Sequence, residues 1–562
     1  MKDLSEAKQE LVKSLVKNKK FHQLEFEVNL LLLEKRSPFL LNLLGVSKIS
    51  KVPTSKKDLN ESLDLFKEAY LKDKTLTDAL FNYAEISIRL LQYDEAKELL
   101  IEYLNEKKYE YKATLALARI HFYQGNMDDC LLNYKKIIDH NQANSKLWAA
   151  FLFTTNYTYK YNQKDYLNFC KKYSEKLEKF DEKIIKKFTY EINPKKIRLG
   201  FFSADLRSHS VSKFIEETLK ILKKDNFEII AFSNNNLGAD DFTTERLKGI
   251  FHEWYDLIKL SDLDAVNLIR EKKINILFDL TGYSTGNRCG IFKNKSAPLQ
   301  ISWCGYCNSS GIKEMDYLIA DKNLIKEKEN FNYTEKIIRL PKIWNSHSLI
   351  STEIEINELP AIKNKYITFG SFNNYGKLSN ETIKTWSEIL KNNNSKLILK
   401  SSVHDHQLLR DNIKRKFKSN GVEEKKIIFM ERLKNYDDHL KMYNKIDISL
   451  DTFPFGGATT TFESLWMGVP TLTLEGEIFN SKFGVSINKN LNLDNFIAKD
   501  KNEYIKKAKI ISSDINDLNK IRCSLRKLAV NSPLFDSKNL GIELCKILKD
   551  KWRMFCQKNN NL

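Results

Sequence analysis

At 562 residues, with 42% hydrophobic and 11% aromatic side chains, the chain has apolar surface for several packed cores, which excludes a wholly disordered protein. Its net charge of +19 comes chiefly from lysine spread along the whole length beside much asparagine and isoleucine, a compositional bias rather than a nucleic-acid-binding stripe. No run approaches the ~18 apolar residues that cross a bilayer. The start, Met1-Lys2-Asp3-Leu4-Ser5, lacks a signal-peptide profile, so a cytoplasmic location is expected, with neither membrane nor nucleic acid as partner.

Residues 1–190 read as helical repeats. Ala84, Tyr93, Ala96, Leu100 and Tyr103 are echoed by Ala118, Met127, Cys130, Tyr134 and Ile137, each 34 residues on, the tetratricopeptide period. The same step backwards lands on Ser62, Phe66 and Ala69, whereas Leu44-Gly45 falls a few residues early and implies a short insertion around Lys51 to Lys57. Small residues where paired helices cross, with aromatics between them, let neighbouring repeats bury one shared core.

After Pro194 short β-rich runs alternate with amphipathic stretches: Ile197–Ser203, Glu228–Ser233, Asn275–Leu280 and Leu299–Trp303. That alternation signals βαβ units around a parallel sheet, in a domain over 196–355. It pauses in a polar stretch and resumes with Tyr366–Ser371, Lys396–Lys400, Lys426–Met430, Ile446–Leu450 and Thr471–Leu474, a second sheet in a domain over 366–540. Residues 541–562 have helical apolar spacing from Leu544 to Phe555, so a last helix should close back over the first of these domains. The fold class is α + α/β: tetratricopeptide-like repeats, then two Rossmann-like domains with a cleft between them.

Three segments carry chemistry. The first, Ser203-Ala204-Asp205-Leu206-Arg207-Ser208-His209-Ser210, follows the first strand and sets His209 at the cleft edge, able to hydrogen-bond a sugar or act as a base. The second, Phe369-Gly370-Ser371-Phe372-Asn373-Asn374-Tyr375-Gly376-Lys377, leaves the second sheet where loops point into the ligand crevice. Lys377 there could neutralise charge on a departing diphosphate. The third, Asp451 to Glu463, joins a strand to a helix through Gly456-Gly457 and the threonines Thr459, Thr460 and Thr461. Free N–H groups at a helix start suit a diphosphate, and Glu463 could take ribose hydroxyls. Thr460-x-x-Glu463 also has the form of a capping box, which explains neither the glycine pair nor the triple threonine.

Metal and redox chemistry find little support. Cys304-Gly305-Tyr306-Cys307 has thioredoxin-like spacing but precedes a loop, Asn308-Ser309-Ser310-Gly311, rather than a helix. His404 and His406 lack a third ligand. Asp262-Leu263-Asp264 opens a helical run, where its carboxylates point about 200° apart. Asp447 and Asp451 lie about 13 Å apart along a strand at ~3.3 Å per residue. No metal or other cofactor is expected.

Together these segments resemble the O-linked N-acetylglucosamine transferase/SPINDLY family of glycosyltransferases. The matching stretches are Phe202-Ser203-Ala204-Asp205 through His209, Asp279-Leu280-Thr281-Gly282-Tyr283, Ala297-Pro298-Leu299-Gln300, Phe369–Lys377, Leu450-Asp451-Thr452-Phe453-Pro454, Thr459–Glu463, Met467-Gly468-Val469-Pro470 and Ser532-Pro533-Leu534-Phe535. The resemblance implies a glycosyltransferase B fold with the nucleotide on the second domain. By it, Lys377 contacts the diphosphate, Asn374 assists near the nucleotide, Thr459 and Thr460 hold phosphates, and Glu463 takes the ribose. His439 stacks near the base, His209 stands near donor sugar and acceptor hydroxyl, and Asn82 is an acceptor-gripping residue of the helical arm. The implied reaction is inverting and metal-independent: a protein Ser or Thr hydroxyl attacks the sugar of a nucleotide-sugar, UDP-N-acetylglucosamine being favoured. The SPINDLY branch uses GDP-fucose, so O-fucosyl transfer is the alternative donor chemistry, and a tetratricopeptide scaffold without activity the alternative class. Homo-oligomer formation is left open. The chain departs from the animal enzyme at Ala458 and Asn275, each in place of a histidine, and at Tyr436 and Lys434, which replace base-reading residues.

Overall fold

The computed structural model describes residues 5–50, 54–107, 109–187, 190–235, 240–348, 350, 353–391, 394–401, 407–431, 433 and 435–560. His404, His406, Lys434 and the start of the Lys51–Lys57 insertion lie outside them. The chain forms two compact units, Met1–Ala143 and Asn144–Leu562.

The first unit is helical. Helix Pro38–Ile49 pairs with Lys56–Lys72, Thr77–Arg89 with Tyr93–Lys107, and Tyr111–Tyr123 with Met127–Asp139. The repeat-matched residues Ser62, Phe66, Ala69, Ala84, Ala96, Ala118 and Cys130 are all fully buried. Gly45 shows why a small residue is needed at a crossing: a Cβ there would stand 2.6 Å from the Phe66 ring. Helix starts are set locally, as where Ser55 and Asp58 form a reciprocal capping box.

The second unit begins with helices Ser145–Thr155 and Gln163–Lys176, so the helical region expected over 1–190 divides between the units. Two all-parallel sheets follow. The first comprises β1 (Ile197–Ser203), β2 (Phe227–Ser233), β3 (Glu253–Asp256), β4 (Ile276–Asp279), β5 (Leu299–Ser302), β6 (Tyr317–Asp321) and β7 (Lys336–Leu340), in the order β3-β2-β1-β4-β5-β6-β7. The second comprises β8 (Ile367–Ser371), β9 (Ser395–Lys400), β10 (Ile427–Met430), β11 (Ile448–Leu450), β12 (Thr471–Leu474) and β13 (Ile497–Ala498), in the order β10-β9-β8-β11-β12-β13. Helices cover both faces, which is why central strands such as β4, β8 and β11 are buried throughout.

Strand order reverses between β1 and β4 in one sheet and between β8 and β11 in the other. In open α/β sheets the crevice for ligands opens at such switch points, beyond the carboxyl ends of the strands. The last helix, Ser537–Asn560, returns to the first lobe, burying Leu540, Leu544, Leu548 and Trp552 in its core. Gly541 permits the approach, since a Cβ there would lie 2.8 Å from Ile221 Cβ.

Candidate functional site

The three chemistry-bearing segments all emerge at the switch points: His209 after β1, Lys377 after β8, and the Asp451–Glu463 segment after β11. The sequence folds the last of these around a buried carboxylate. Asp451 accepts hydrogen bonds from the Gly457 N–H (2.7 Å), the Thr473 hydroxyl (2.9 Å) and the Asn373 amide (3.3 Å). Burial raises its pKa to about 6 despite these donors. The resulting turn needs glycine at position 457, where a Cβ would lie 2.4 Å from Thr460 Oγ1.

Helix Thr459–Trp466 then starts after Ala458, with no side-chain cap among the described residues. Thr460 Oγ1 donates to Asn373 Oδ1 (2.8 Å) and Thr461 Oγ1 to Gly457 O (2.9 Å). A helix leaves its first N–H groups without internal partners, so Thr459 and Thr460 present theirs to the crevice. The capping box does not form. Glu463 instead lies buried one turn on, accepting from Lys213 (2.8 Å), the Tyr436 hydroxyl (2.8 Å) and His439 Nε2 (3.1 Å). Burial alone would raise its pKa, but Lys213 and His439 outweigh that and hold the carboxyl well below its usual range.

Lys377 closes a short 3-10 turn, Tyr375–Lys377, fixed by Asn374, whose side chain accepts from the Gly376 N–H at 2.9 Å. The lysine Nζ donates to Gly456 O (2.7 Å) and stands 3.9 Å from the centre of the Phe455 ring. Burial lowers its pKa to about 8, with Asp451 opposing. His439 sits in helix Tyr436–Lys441, near-parallel to the Tyr436 ring with centroids 6.0 Å apart. Lys400, at the end of β9, hydrogen-bonds its Nδ1. That fixes the ring so that Nε2 carries the proton donated to Glu463.

His209 caps helix Ser210–Lys224: its Nδ1 accepts from the Val211 N–H at 3.3 Å. The neutral imidazole therefore carries its proton on Nε2 and offers a donor to the crevice. Burial lowers its pKa, against the pull of Asp205, whose Oδ1 is 3.6 Å from Nδ1.

His439, Glu463, Thr459–Thr461, Asn374 and Lys377 thus share one sheet edge. Asn82 lies in the first unit, where its amide donates to Asn42 Oδ1 at 3.0 Å. Asn275, matched by resemblance to a residue near the sugar, instead precedes β4 at the opposite sheet edge, accepting from the Arg198 N–H at 2.7 Å. Its register beside Arg198 puts it at the amino ends of β1 and β4, and loops there face away from the crevice. A surface cavity lined by Leu359, Tyr366, Thr368 and Lys445 opens at the corresponding far edge of the second sheet.

Asp262 pairs with Arg288 (2.6 Å), while Asp264 accepts from the Ser261 hydroxyl (2.7 Å), so the two carboxylates serve separate partners. Among the described residues no three His, Cys, Asp or Glu side chains gather as metal ligands. Nor is any helix among them long and apolar enough to cross a membrane. Cys304 and Cys307 are free thiols in a loop, and burial raises both, Cys307 to about 12, the reverse of a reactive redox pair. Sequence reasoning missed Lys213 and Lys400. Each is one lysine among many, and only the fold brings them to Glu463 and His439.

Two doubly wound parallel lobes, with their switch points on either side of one crevice, define the glycosyltransferase B architecture. Within that class the chain belongs to glycosyl transferase family 41, whose model matches residues 166–347 and 345–544. It is 32% identical over 363 residues to a protein of Solanum lycopersicum named probable UDP-N-acetylglucosamine–peptide N-acetylglucosaminyltransferase SPINDLY, covering 64% of this chain and 39% of the relative. The Oryza sativa protein of that name is 33% identical over 66% of this chain and 41% of its own length. The Arabidopsis thaliana protein SEC is 26% identical over 64% of this chain and 38% of its own. The chain therefore spans about two-fifths of the length of these relatives. A variant of Thermobaculum terrenum O-GlcNAc transferase shares the fold, with TM-score 0.77 and 23% identity over 89% of this chain and 95% of that one.

Proposed function

We propose that the chain transfers a sugar from a nucleotide-sugar to Ser or Thr hydroxyls of protein acceptors. UDP-N-acetylglucosamine is the favoured donor. The observation that carries this is the meeting of Lys377 with the Gly456-Gly457 turn and the start of helix Thr459–Trp466, a cation and a helix N-terminus converging where a diphosphate would leave. His439 offers a ring face for a base, and Glu463 keeps one acceptor position for a ribose hydroxyl. His209, with its proton on Nε2, supports a role as donor to sugar or acceptor rather than as base. Lys377 and the threonine turn neutralise the leaving diphosphate, so that one in-line attack by the acceptor hydroxyl breaks the sugar–phosphate bond, its proton passing to a phosphate oxygen of the departing nucleotide, without metal or other cofactor. Stacked helical repeats in general present concave surfaces suited to extended chains, so a protein acceptor would lie along the repeats, with Asn82 as one gripping side chain.

The test is incubation with radiolabelled UDP-N-acetylglucosamine and GDP-fucose in parallel, scoring sugar release. Turnover of the first donor is expected. Turnover of GDP-fucose alone would make the chain an O-fucosyltransferase, and release from neither, without nucleotide binding, would leave a scaffold.

A further inference from the structure

Lys213 lies one helical turn beyond His209 on the first lobe, yet its ammonium ends on the second. It donates to Glu463 Oε1 at 2.8 Å and stands 3.7 Å from the centre of the Tyr436 ring. The Glu463 side chain is only 4% exposed, against 30% for Lys213. The neighbouring Phe214 packs edge-on against Phe462, 5.3 Å between centroids. The Lys213 carbonyl accepts from the Ser348 N–H at 2.8 Å, in the segment that joins the lobes. Residues 213 and 214 thus dock the first turn of the His209 helix onto helix Thr459–Trp466.

Charge pairs across an interface fix register more than they add affinity, and a carboxylate this buried is costly to leave unpaired. A carboxylate offers about four acceptor positions. Lys213, Tyr436 and His439 fill three on Glu463, so a ribose hydroxyl can take the remaining one while Lys213 stays in place. The nucleoside and the His209 helix would then be held by one and the same side chain.

We propose that Lys213 is a positioning residue: through Glu463 it couples the nucleotide pocket of the second lobe to His209 on the first, so that a filled pocket fixes where His209 stands over the sugar. This rests on the nucleotide-sugar reading above. Lys213→Met keeps the apolar stem over Tyr436 and removes the charge, and Lys213→Arg keeps the charge. Each is compared with wild type in affinity for UDP and GDP by calorimetry, in kcat for donor hydrolysis at saturation, and in amide hydrogen exchange of the Ser210–Phe214 turn.

Lys213→Met should bind the preferred nucleotide within about threefold of wild type yet lose about tenfold or more in kcat, as small misplacements do. Nucleotide should no longer slow exchange in that turn, and Lys213→Arg should restore kcat to within about threefold. A Lys213→Met protein whose affinity falls further than its kcat, or whose kcat and exchange match wild type, overturns the proposal. If wild type binds neither nucleotide, the nucleotide-sugar reading falls by itself. Exchange without ligand then decides the docking role: faster exchange in Lys213→Met supports it, and unchanged exchange overturns it.

Discussion

Lys377 and Gly456 join the two loops of the second-lobe switch point: the lysine Nζ donates to the glycine carbonyl at 2.7 Å. A carbonyl and the Phe455 ring are modest company for an enclosed cation, which is why burial prevails and its pKa drops to about 8. A diphosphate arriving there would set full negative charge against the ammonium at hydrogen-bond distance.

Replacing Lys377 by alanine should therefore abolish transfer and leave the fold intact. Losing one such stabiliser of developing charge costs roughly 10²–10³-fold in rate, while the structural loss is one hydrogen bond to the Gly456 carbonyl and one contact with the Phe455 ring. Rates of donor hydrolysis and thermal melting, measured on one preparation, check both halves. Near-normal turnover would remove Lys377 from the mechanism.

The same lysine sets a pH limit. Its charged form is the one needed, and with a pKa of about 8 that form is lost as pH rises through this value. The profile of kcat/KM, which reports the free enzyme, should fall above about pH 8, by about tenfold per unit. The profile of kcat should bend at higher pH, because bound diphosphate favours the ammonium. A kcat/KM that stays level to about pH 10 contradicts this assignment.

Deleting residues 1–143 should spare donor hydrolysis and cripple transfer to intact protein acceptors, because the repeats form a unit of their own. Deleting on through Lys176 should instead destabilise the catalytic unit. Asn156, 1% exposed, accepts from Asn308 of the first lobe (3.0 Å) and Asn480 of the second (2.8 Å), and Tyr166 hydrogen-bonds Tyr306 and Ser309. Unsatisfied buried amides of this kind cost about 1–3 kcal/mol each, so the longer deletion should melt well below the shorter one. Equal melting temperatures would show that these helices merely lean on the lobes.

Turnover should survive excess EDTA. Asp262 and Asp264 are committed to Arg288 and Ser261. Asp447 accepts from the Ala361 and Thr368 N–H groups at one end of β11, while Asp451 organises the glycine turn at the other. Loss of activity on chelation, restored by Mg²⁺ or Mn²⁺, would mean that the phosphate site is wrongly assigned.

Much of this architecture could be read from the chain. The apolar runs of β1, β2, β4, β5 and β8 to β12 stand out, with ends shifted by at most two residues, as does the 34-residue repeat. Strand β3 (Glu-Trp-Tyr-Asp) does not stand out, being an edge strand with no fully buried residue. Strand β7 is an edge strand with lysine and arginine in it, and β13 has two residues. Lys377 was legible because it sits in the loop leaving β8, and the threonine turn because it opens the helix that follows β11, whereas His439, well past the end of β10, was legible only through the family resemblance. The partner of Glu463 was not: Lys213 is 250 residues away, and local pattern holds no record of a contact that two separate lobes make only once folded.

Sugar transfer to protein is the activity on which every other assignment depends. Intact-mass spectrometry of a protein acceptor, co-expressed with the wild-type chain or with Lys377→Ala, measures it directly. The expected result is a gain of whole N-acetylhexosamine units with wild type and none with the variant. An unmodified acceptor in both, from a wild-type chain that binds neither UDP nor GDP, would contradict it.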